Sequence, residues 1–236
     1  MPRQPRYEIV GIAQHVIQRG NNRQATFFAK EDYEFYLVCL GDAARKSSCE
    51  VHAYVLMTNH VHLLATPGTP RAIARLMQSL GRRYVYYVNQ TYRRSGTLWE
   101  GRYKASLVGP GRHFFTCSRY IELNPVRAAI TAHPDAYPWS SYGRNAWLKA
   151  DPLVTEHADY TALGSTPQER AEAYRELFPA GIDGDHLRQI RTSTNQCLAY
   201  GSERFKEEIE VQLRRRVRPG LVGRPKKGEN EREIPV

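Results

Sequence analysis

The sequence predicts an α+β fold built on one antiparallel sheet, and three observations lead to that prediction. Several short segments of β-branched or apolar residues end at turn residues, as strands do. Two longer segments repeat apolar residues with the period of a helix. Beyond about residue 150 strand-like segments become rare, and the remaining patterns are helical.

The first four elements are a strand, a helix and a hairpin of two strands. Residues 7–19 (YEIVGIAQHVIQR) are rich in β-branched side chains and run into a Gly-Asn-Asn turn, which predicts a strand. Residues 31–46 place apolar side chains on one helical face, which predicts an amphipathic helix. Residues 49–57 and 60–67 are predicted strands, and the Thr58-Asn59 connection between them suits a tight antiparallel hairpin.

Three further elements complete the order βαββαβ plus a helix. A long helix is predicted from Arg71 to Arg93, a strand over residues 99–109 (WEGRYKASLVG) and another helix from Arg112. This order is typical of a ferredoxin-like sheet, a fold that many unrelated functions share. A ridge of basic, polar and aromatic side chains lies on the exposed side of the long helix. Such a ridge is commonly only a solvated helix face, but it also suits the binding of a polyanion. Its members are Arg71, Arg75, Gln78, Arg82, Tyr86, Asn89 and Arg93.

The chain is predicted to divide into three parts. Residues 1–150 hold the strand-containing domain, residues 151–216 a helical appendage, and residues 217–236 a flexible basic tail. Within the appendage, Thr166 and Glu169 flank Pro167 as a capping box, which predicts a helix start. Further helices are expected over residues 185–200 and 202–216.

Composition narrows the class of partner. A formal net charge of +10 and a pI near 9.6 favour nucleic acid over a basic protein without a polyanionic ligand. No apolar run is long enough to cross a bilayer and no apolar signal segment is visible, so we expect no membrane association and a cytoplasmic, nucleoid-associated protein. The four cysteines form no CxxC pair, which argues against a zinc ribbon or a disulfide framework.

The segment TNHVH places two histidines on one predicted strand. Residues two apart on a strand point to the same side, so His60 and His62 present both imidazoles to one face. Such a pair can hold one divalent ion, although paired histidines are more often surface or hydrogen-bonding groups. His15 on the first strand is expected to hydrogen-bond near this pair instead of binding a metal itself.

The segment RYIELNPVRAA supplies a phenol and an amide with helical spacing. If it is helical, Tyr120 and Asn124 are four residues apart and share a face. Each has an ordinary alternative, because most tyrosines pack in cores and Asn124, ahead of Pro125, suits an N-cap of the following turn.

Taken together and in this order, MTNHVHLL, WEGRYKAS and RYIELNPVRAA resemble the single-tyrosine HUH transposases, and within them the REP-associated tyrosine transposases. The resemblance runs from about Tyr7 to Tyr142 and includes HVIQRGNNRQATFF and WSSY. It implies a ferredoxin-like HUH endonuclease fold that cleaves single-stranded DNA and transfers the strand. The expected substrate is a hairpin of the repetitive extragenic palindromes, and the expected outcome is DNA recombination or transposition.

The resemblance also implies roles for single residues. The HUH histidines fall on His60 and His62, and the nucleophilic tyrosine falls on Tyr120, whose attack would form a 5′-phosphotyrosine intermediate. The third metal ligand, often glutamine in relatives, falls on the shorter Asn124. Two imidazoles and an amide oxygen suit Mn²⁺ or Mg²⁺. The residues expected to contact DNA are Arg19, Arg75, Arg82, Arg83, Arg102, Lys104, Arg224 and Lys226.

Several alternatives stay open at this point. A hairpin DNA-binding or RNA-binding protein without cleavage activity would share the fold and charge, although an RNA-binding sheet is expected to carry stacking aromatics where this one carries histidines. A metal-dependent hydrolase that uses activated water would tolerate loss of the phenol. A monomer is favoured over a homodimer, because the C-terminal helices could cover a dimer surface.

Overall fold

A five-stranded sheet forms the centre of the protein in the computed structural model, which describes residues 6–219. The strand order is β2-β3-β1-β4-β5, with the first four strands antiparallel and β5 parallel to β4. The strands are β1 (Gln14–Arg19), β2 (Cys49–Met57), β3 (His60–Pro67), β4 (Lys104–Val108) and β5 (Ala199–Tyr200). The order of the first four is that of a ferredoxin-like sheet, so the predicted fold class is confirmed.

Nine α-helices lie within residues 6–219, and most start close to their predicted positions. They are α1 (Lys30–Ser47), α2 (Ala72–Thr91), α3 (Arg112–Glu122), α4 (Asn124–Arg127), α5 (Tyr142–Trp147), α6 (Ala158–Thr161), α7 (Pro167–Glu176), α8 (Gly184–Gln196) and α9 (Glu203–Leu213). The capping box predicted for α7 is present, since Thr166 Oγ1 accepts from the Glu169 backbone N–H. None of these helices is long and apolar enough to cross a bilayer.

The two faces of the sheet are covered by different helices. Val61, Leu63 and Ala65 of β3 pack with α1 and α2 in one core cluster. Leu64 packs on the opposite face with α3 and with Ile190 of α8. Because side chains alternate along a strand, His60 and His62 share the face of Leu64. The histidine pair therefore points at α3 and α8, away from α2.

Three predicted boundaries are corrected by the structure. The first strand begins at Gln14, because residues 7–13 run beside the C-terminal segment, where Tyr7 and Ile9 pack on Phe205. Within the predicted segment 99–109, the strand covers only residues 104–108, although Trp99 also forms an isolated bridge to Gly20. The predicted helix 185–200 ends at Gln196, where Cys197 takes a left-handed conformation with φ 56°, and Ala199 and Tyr200 become β5.

The segment after residue 150 is part of the packed structure. β5 pairs with β4, and Val217, which was assigned to the basic tail, is fully buried against Ala199 and Phe205. The division into a catalytic domain, an appendage and a tail stays a prediction. Arg224 and Lys226, expected to contact DNA, lie outside the described residues.

Candidate active site at the histidine pair

A pocket of about 330 Å³ lies on the α3 side of the sheet and brings together the predicted nucleophile and the predicted metal ligands. His60 and His62 enter it from β3, and Tyr120 from α3. Asn124, the first residue of α4, and His15 of β1 also line it. The structure therefore brings the predicted nucleophile and the three predicted metal ligands into one pocket of one chain.

A chain of hydrogen bonds fixes the proton positions of His15 and His62. Thr194 Oγ1 donates to the Ile190 carbonyl, so it accepts from His15 Nδ1 at 2.9 Å. The neutral His15 ring then accepts at Nε2 from His62 Nδ1, at 2.7 Å. The proton of His62 therefore sits on Nδ1, and its Nε2 keeps a lone pair with no hydrogen-bond partner in residues 6–219.

Asn59 fixes His60 in the same tautomer. Its Nδ2 donates to the Arg23 carbonyl at 2.9 Å, so its Oδ1 accepts from His60 Nδ1 at 2.7 Å. The Nε2 atom of His60 is again left with its lone pair. Metal-binding histidines usually donate their second ring N–H to an oxygen or similar acceptor, and both members of this pair do so. From the sequence Asn59 was assigned only to the hairpin connection and not to the site, although it directly precedes His60.

Burial keeps all three imidazoles neutral near pH 7. Desolvation lowers the pKa of His60 to about 4, with repulsion from Arg19 and Arg127 adding to the effect. Desolvation and Arg127 lower the pKa of His15 to about 3. Desolvation lowers the pKa of His62 well below its usual range, helped by its two neighbouring histidines. Neutral imidazole is the form that binds a metal ion.

The phenol of Tyr120 is held against these rings with its oxygen unengaged. Phe114, Cys117 and Ile121 bury the inner stripe of α3, which turns Tyr120 towards the edge of the pocket. Its ring centroid lies 5.8 Å from that of His62 and 5.6 Å from that of His15, both edge to face. The side chain is 7% exposed, and its hydroxyl has no hydrogen-bond partner within residues 6–219.

Asn124 is the first residue of α4, and its side chain caps the C-terminal end of α3. Its Nδ2 donates to the backbone carbonyls of Tyr120 and Ile121, which corrects the expected N-cap role. Its Oδ1 accepts from Arg127 Nη2 at 2.9 Å. The third predicted ligand thus reaches the pocket with its oxygen already bonded to a cation.

Arg127 and Arg191 are pocket residues that the sequence did not reveal. The guanidinium carbon of Arg127 lies 4.1 Å from the Tyr120 ring centroid. The sequence feature that could have pointed to Arg127 is its spacing of seven residues, about two helical turns, from Tyr120. With Arg19, three arginines line the pocket and no Asp or Glu does. The described residues contain no group of three or more His, Cys, Asp and Glu that could hold a metal, so a metal bound by His60 and His62 would take its other ligands from outside these four residue types.

A second cleft of about 500 Å³ adjoins the pocket and shares Ile17, Arg19 and Asn195 with it. Arg102 and Lys104 line this cleft, and Lys104 Nζ donates to Asn195 Oδ1; their contact with DNA stays a prediction. Arg6 stacks on Tyr103 at 3.7 Å in the same cleft. Basic and aromatic side chains therefore continue outward from the pocket.

The ridge on α2 is not brought to the pocket. Arg75, Arg82 and Arg83 lie on the helix layer that covers the opposite face of the sheet. Arg75 donates to Pro70 O and Thr69 Oγ1, and Arg83 forms an ion pair with Asp42. Their contact with DNA stays a prediction, and any such contact would be separate from the pocket.

Glu122 anchors the helix that carries Tyr120. It is fully buried, and its Oε1 accepts from Ser141 Oγ at 2.5 Å and Asn145 Nδ2 at 3.0 Å. Its Oε2 accepts from Tyr174 Oη at 2.7 Å, which ties α3 to α7. Desolvation raises the pKa of Glu122 to about 7, against the lowering effect of these three donors.

Comparison with known proteins gives the same assignment. Residues 8–124 match the IS200-like transposase family. A solved structure of a REP-associated tyrosine transposase bound to a REP hairpin has a TM-score of 0.54 and 16% identity, covering 67% of this chain and 93% of that one. A candidate transposase from Deinococcus radiodurans has a TM-score of 0.36 and 21% identity, covering 57% of this chain and 97% of that one. None of the curated proteins matches the chain.

The fold and the family together define a transposase, a DNA-processing enzyme. More particularly, residues 8–124 belong to the IS200-like transposase family, and the chain shares the fold of the REP-associated tyrosine transposase structure.

Proposed function

We propose that the protein is a metal-dependent, single-stranded DNA endonuclease and strand transferase that uses Tyr120 as its nucleophile. One observation carries this proposal: the unbonded Tyr120 hydroxyl shares a pocket with two imidazole lone pairs and three arginines, and no carboxylate lines that pocket. A pocket of this charge is suited to a phosphodiester, because the guanidinium groups offset the negative charge of the phosphate.

Two of the three predicted metal ligands present a free donor atom suited to a divalent metal, and the third is already hydrogen-bonded. His60 and His62 each offer a neutral Nε2 whose tautomer is fixed by a hydrogen bond at Nδ1. Asn124 offers an amide oxygen that Arg127 engages. Mn²⁺ or Mg²⁺ held there would polarise a phosphate oxygen and so make the phosphorus more open to attack.

Tyr120 is the group that forms the new bond. Its oxygen attacks phosphorus, the bond from phosphorus to O3′ breaks, and the phenolic proton is lost to water while the departing O3′ gains one. The products are a 5′-phosphotyrosine link and a free 3′-hydroxyl. Since the link preserves the phosphodiester's energy, a 3′-hydroxyl of another strand can reverse the step without ATP. The edge-to-face packing of Tyr120 on His15 and His62 limits the ring to few positions.

The adjoining cleft is the proposed path of an unpaired strand. Its basic residues Arg19, Arg102 and Lys104 and its aromatic residue Tyr103 suit a backbone with stacked bases. The REP-associated tyrosine transposase structure that shares this fold is bound to a REP hairpin, which supports hairpin DNA as the substrate class. Arg19 lines both cavities, so it would lie between the DNA strand in the cleft and the reacting phosphate in the pocket.

Formation of a covalent adduct tests the proposal. Wild type and Tyr120→Phe are incubated with end-labelled hairpin DNA and Mn²⁺ and resolved on denaturing gels. Tyr86→Phe is the matched control, because Tyr86 is 70% exposed on α2 and lies on the other face of the sheet. We expect an adduct with wild type and Tyr86→Phe and none with Tyr120→Phe.

Other results would select the alternatives. Equal cutting by wild type and Tyr120→Phe would indicate a hydrolase that uses activated water. Tight hairpin binding by all three proteins without any adduct would indicate a DNA-binding protein that does not cleave.

A further inference from the structure

Arg127 lies where it competes with a cation for the oxygen of Asn124. Its Nη2 donates to Asn124 Oδ1 and its Nη1 to the Tyr120 carbonyl, both at 2.9 Å. Its guanidinium carbon stacks 4.1 Å from the Tyr120 ring centroid. Two hydrogen bonds and one ring contact therefore hold this side chain between the nucleophile and the third predicted ligand.

The opposite end of the Asn124 amide prevents it from turning away. Nδ2 donates to the carbonyls of Tyr120 and Ile121, at 2.9 Å and 3.1 Å. Carbonyls cannot donate, so a flipped amide would lose both bonds. Oδ1 must therefore face Arg127, and a metal that uses this oxygen meets the guanidinium charge beside it.

The rest of the pocket offers nothing to offset a second cation. Arg19 and Arg191 add positive charge, His60 and His62 are neutral, and no carboxylate lines the walls. A divalent ion entering the pocket alone would bring two like charges close together at low dielectric. A phosphate entering with it would supply the missing negative charge.

We propose that Arg127 is a positioning residue that withholds Asn124 Oδ1 from the metal until a DNA phosphate enters the pocket. This inference rests on the proposed function. The phosphate draws the guanidinium because bidentate bonds to a charged phosphate are stronger than the bonds that Arg127 makes to two neutral oxygens, those of the Asn124 amide and the Tyr120 carbonyl. The freed amide oxygen then joins His60 and His62. Metal and DNA binding therefore strengthen each other, as linkage requires.

Mn²⁺ binding without turnover tests this inference. All proteins carry Tyr120→Phe, which keeps the ring but leaves the DNA uncut. Free Mn²⁺ is measured by electron paramagnetic resonance, with and without a single-stranded hairpin oligonucleotide, and the ion bound by the oligonucleotide alone is subtracted. The variants are Arg127→Gln, Arg191→Gln and the pair Arg127→Gln with Asn124→Ala. Arg191→Gln is the matched control, because Arg191 lines the same pocket without bonding Asn124.

We expect Arg127→Gln to bind Mn²⁺ about tenfold more tightly than its parent in the absence of DNA, equivalent to about 1.4 kcal/mol. The gain should be smaller in Arg191→Gln and should vanish in the pair with Asn124→Ala. DNA should tighten Mn²⁺ binding to the parent more than to Arg127→Gln. A merely structural role for Arg127 would not increase metal affinity.

Three results would overturn the inference. Unchanged or weaker Mn²⁺ binding by a natively folded Arg127→Gln would do so, and so would an equal gain in Arg191→Gln, which would indicate general charge. Either result leaves the proposed function standing. Absence of Mn²⁺ binding in every protein, with DNA present, would overturn both. If Arg127→Gln does not fold, Arg127→Lys replaces it, because lysine keeps the charge but lacks the planar fork whose two nitrogens reach the two oxygens, and a smaller gain is expected.

Discussion

Replacing Glu122 by Gln should change how the stability of the protein depends on pH. The carboxyl is fully buried, and its pKa is raised from 4.5 to about 7. One pKa unit corresponds to about 1.4 kcal/mol, so the shift corresponds to roughly 3 kcal/mol. Because the folded state holds this proton more tightly than the unfolded chain, the contribution is fully present below about pH 4.5. It is lost as pH rises to about 7.

The buried histidines act in the opposite direction, so the comparison must be made between variant and wild type. Their lowered pKa values add stability as pH rises from about 4 towards 6.5, and they do so in both proteins. Glutamine keeps the shape and an acceptor for Ser141 and Asn145 but cannot ionise. We therefore expect the free energy of unfolding of Glu122→Gln, relative to wild type, to rise by up to about 3 kcal/mol between about pH 4.5 and 7.5.

Urea denaturation at a series of pH values, followed by circular dichroism and tyrosine and tryptophan fluorescence, measures this difference. Glu172→Gln serves as the control, because Glu172 is an exposed carboxyl on α7. A difference between Glu122→Gln and wild type that stays constant within about 1 kcal/mol would refute the assignment of a raised pKa to this carboxyl.

Four other substitutions test the site and the fold that supports it. Asn59→Ala removes the acceptor that fixes His60, so metal-dependent cleavage should fall about 10- to 100-fold in a Mn²⁺ titration, and unchanged activity would contradict the positioning role. A Cβ at Gly20 would lie 2.3 Å from Gln24 O, so Gly20→Ala should lower the free energy of unfolding by about 1–3 kcal/mol. A Cβ at Gly81 in α2 would meet nothing within 4 Å, so Gly81→Ala should raise the free energy of unfolding by about 0.5–1 kcal/mol. Equal effects of the two glycine substitutions in denaturant titrations would contradict this account of the Gly20 turn. Lys104→Gln should weaken binding of single-stranded DNA and reduce its dependence on salt by about one phosphate contact, and an unaltered salt slope would place Lys104 outside the interface.

The parts of the site that depend on local spacing could be predicted from the sequence. Alternation along a strand was enough to put His60 and His62 on one face. Helical spacing was enough to associate Tyr120 with Asn124, even though the helix breaks at Leu123 between them. The hairpin of β2 and β3 followed from its short connection, and its register pairs Met57 with His60 as expected.

The parts that depend on distant contacts could not be predicted. The hydrogen-bond partner of His15 Nδ1 is Thr194, which lies 179 residues further along the chain, and no local sequence pattern connects the two. The role of Arg127 depends on the turn between α3 and α4, which brings it back over Tyr120. The ridge on α2 has the composition of a DNA-binding surface, but composition does not say which face of the sheet a helix covers.

The pairing of β5 with β4 makes the last third of the chain hard to remove. Leu107 N–H donates to Leu198 O and Gly109 N–H to Tyr200 O, so a protein shortened at residue 150 would leave these main-chain donors open on an edge strand. Open edges recruit other molecules by strand addition, which favours aggregation. The same truncation would remove Thr194, the hydrogen-bond partner of His15 Nδ1. The tautomers of His15 and His62 would then no longer be fixed. A minimal catalytic fragment of this protein must therefore be sought by trimming loops, with the C-terminal strand kept in place.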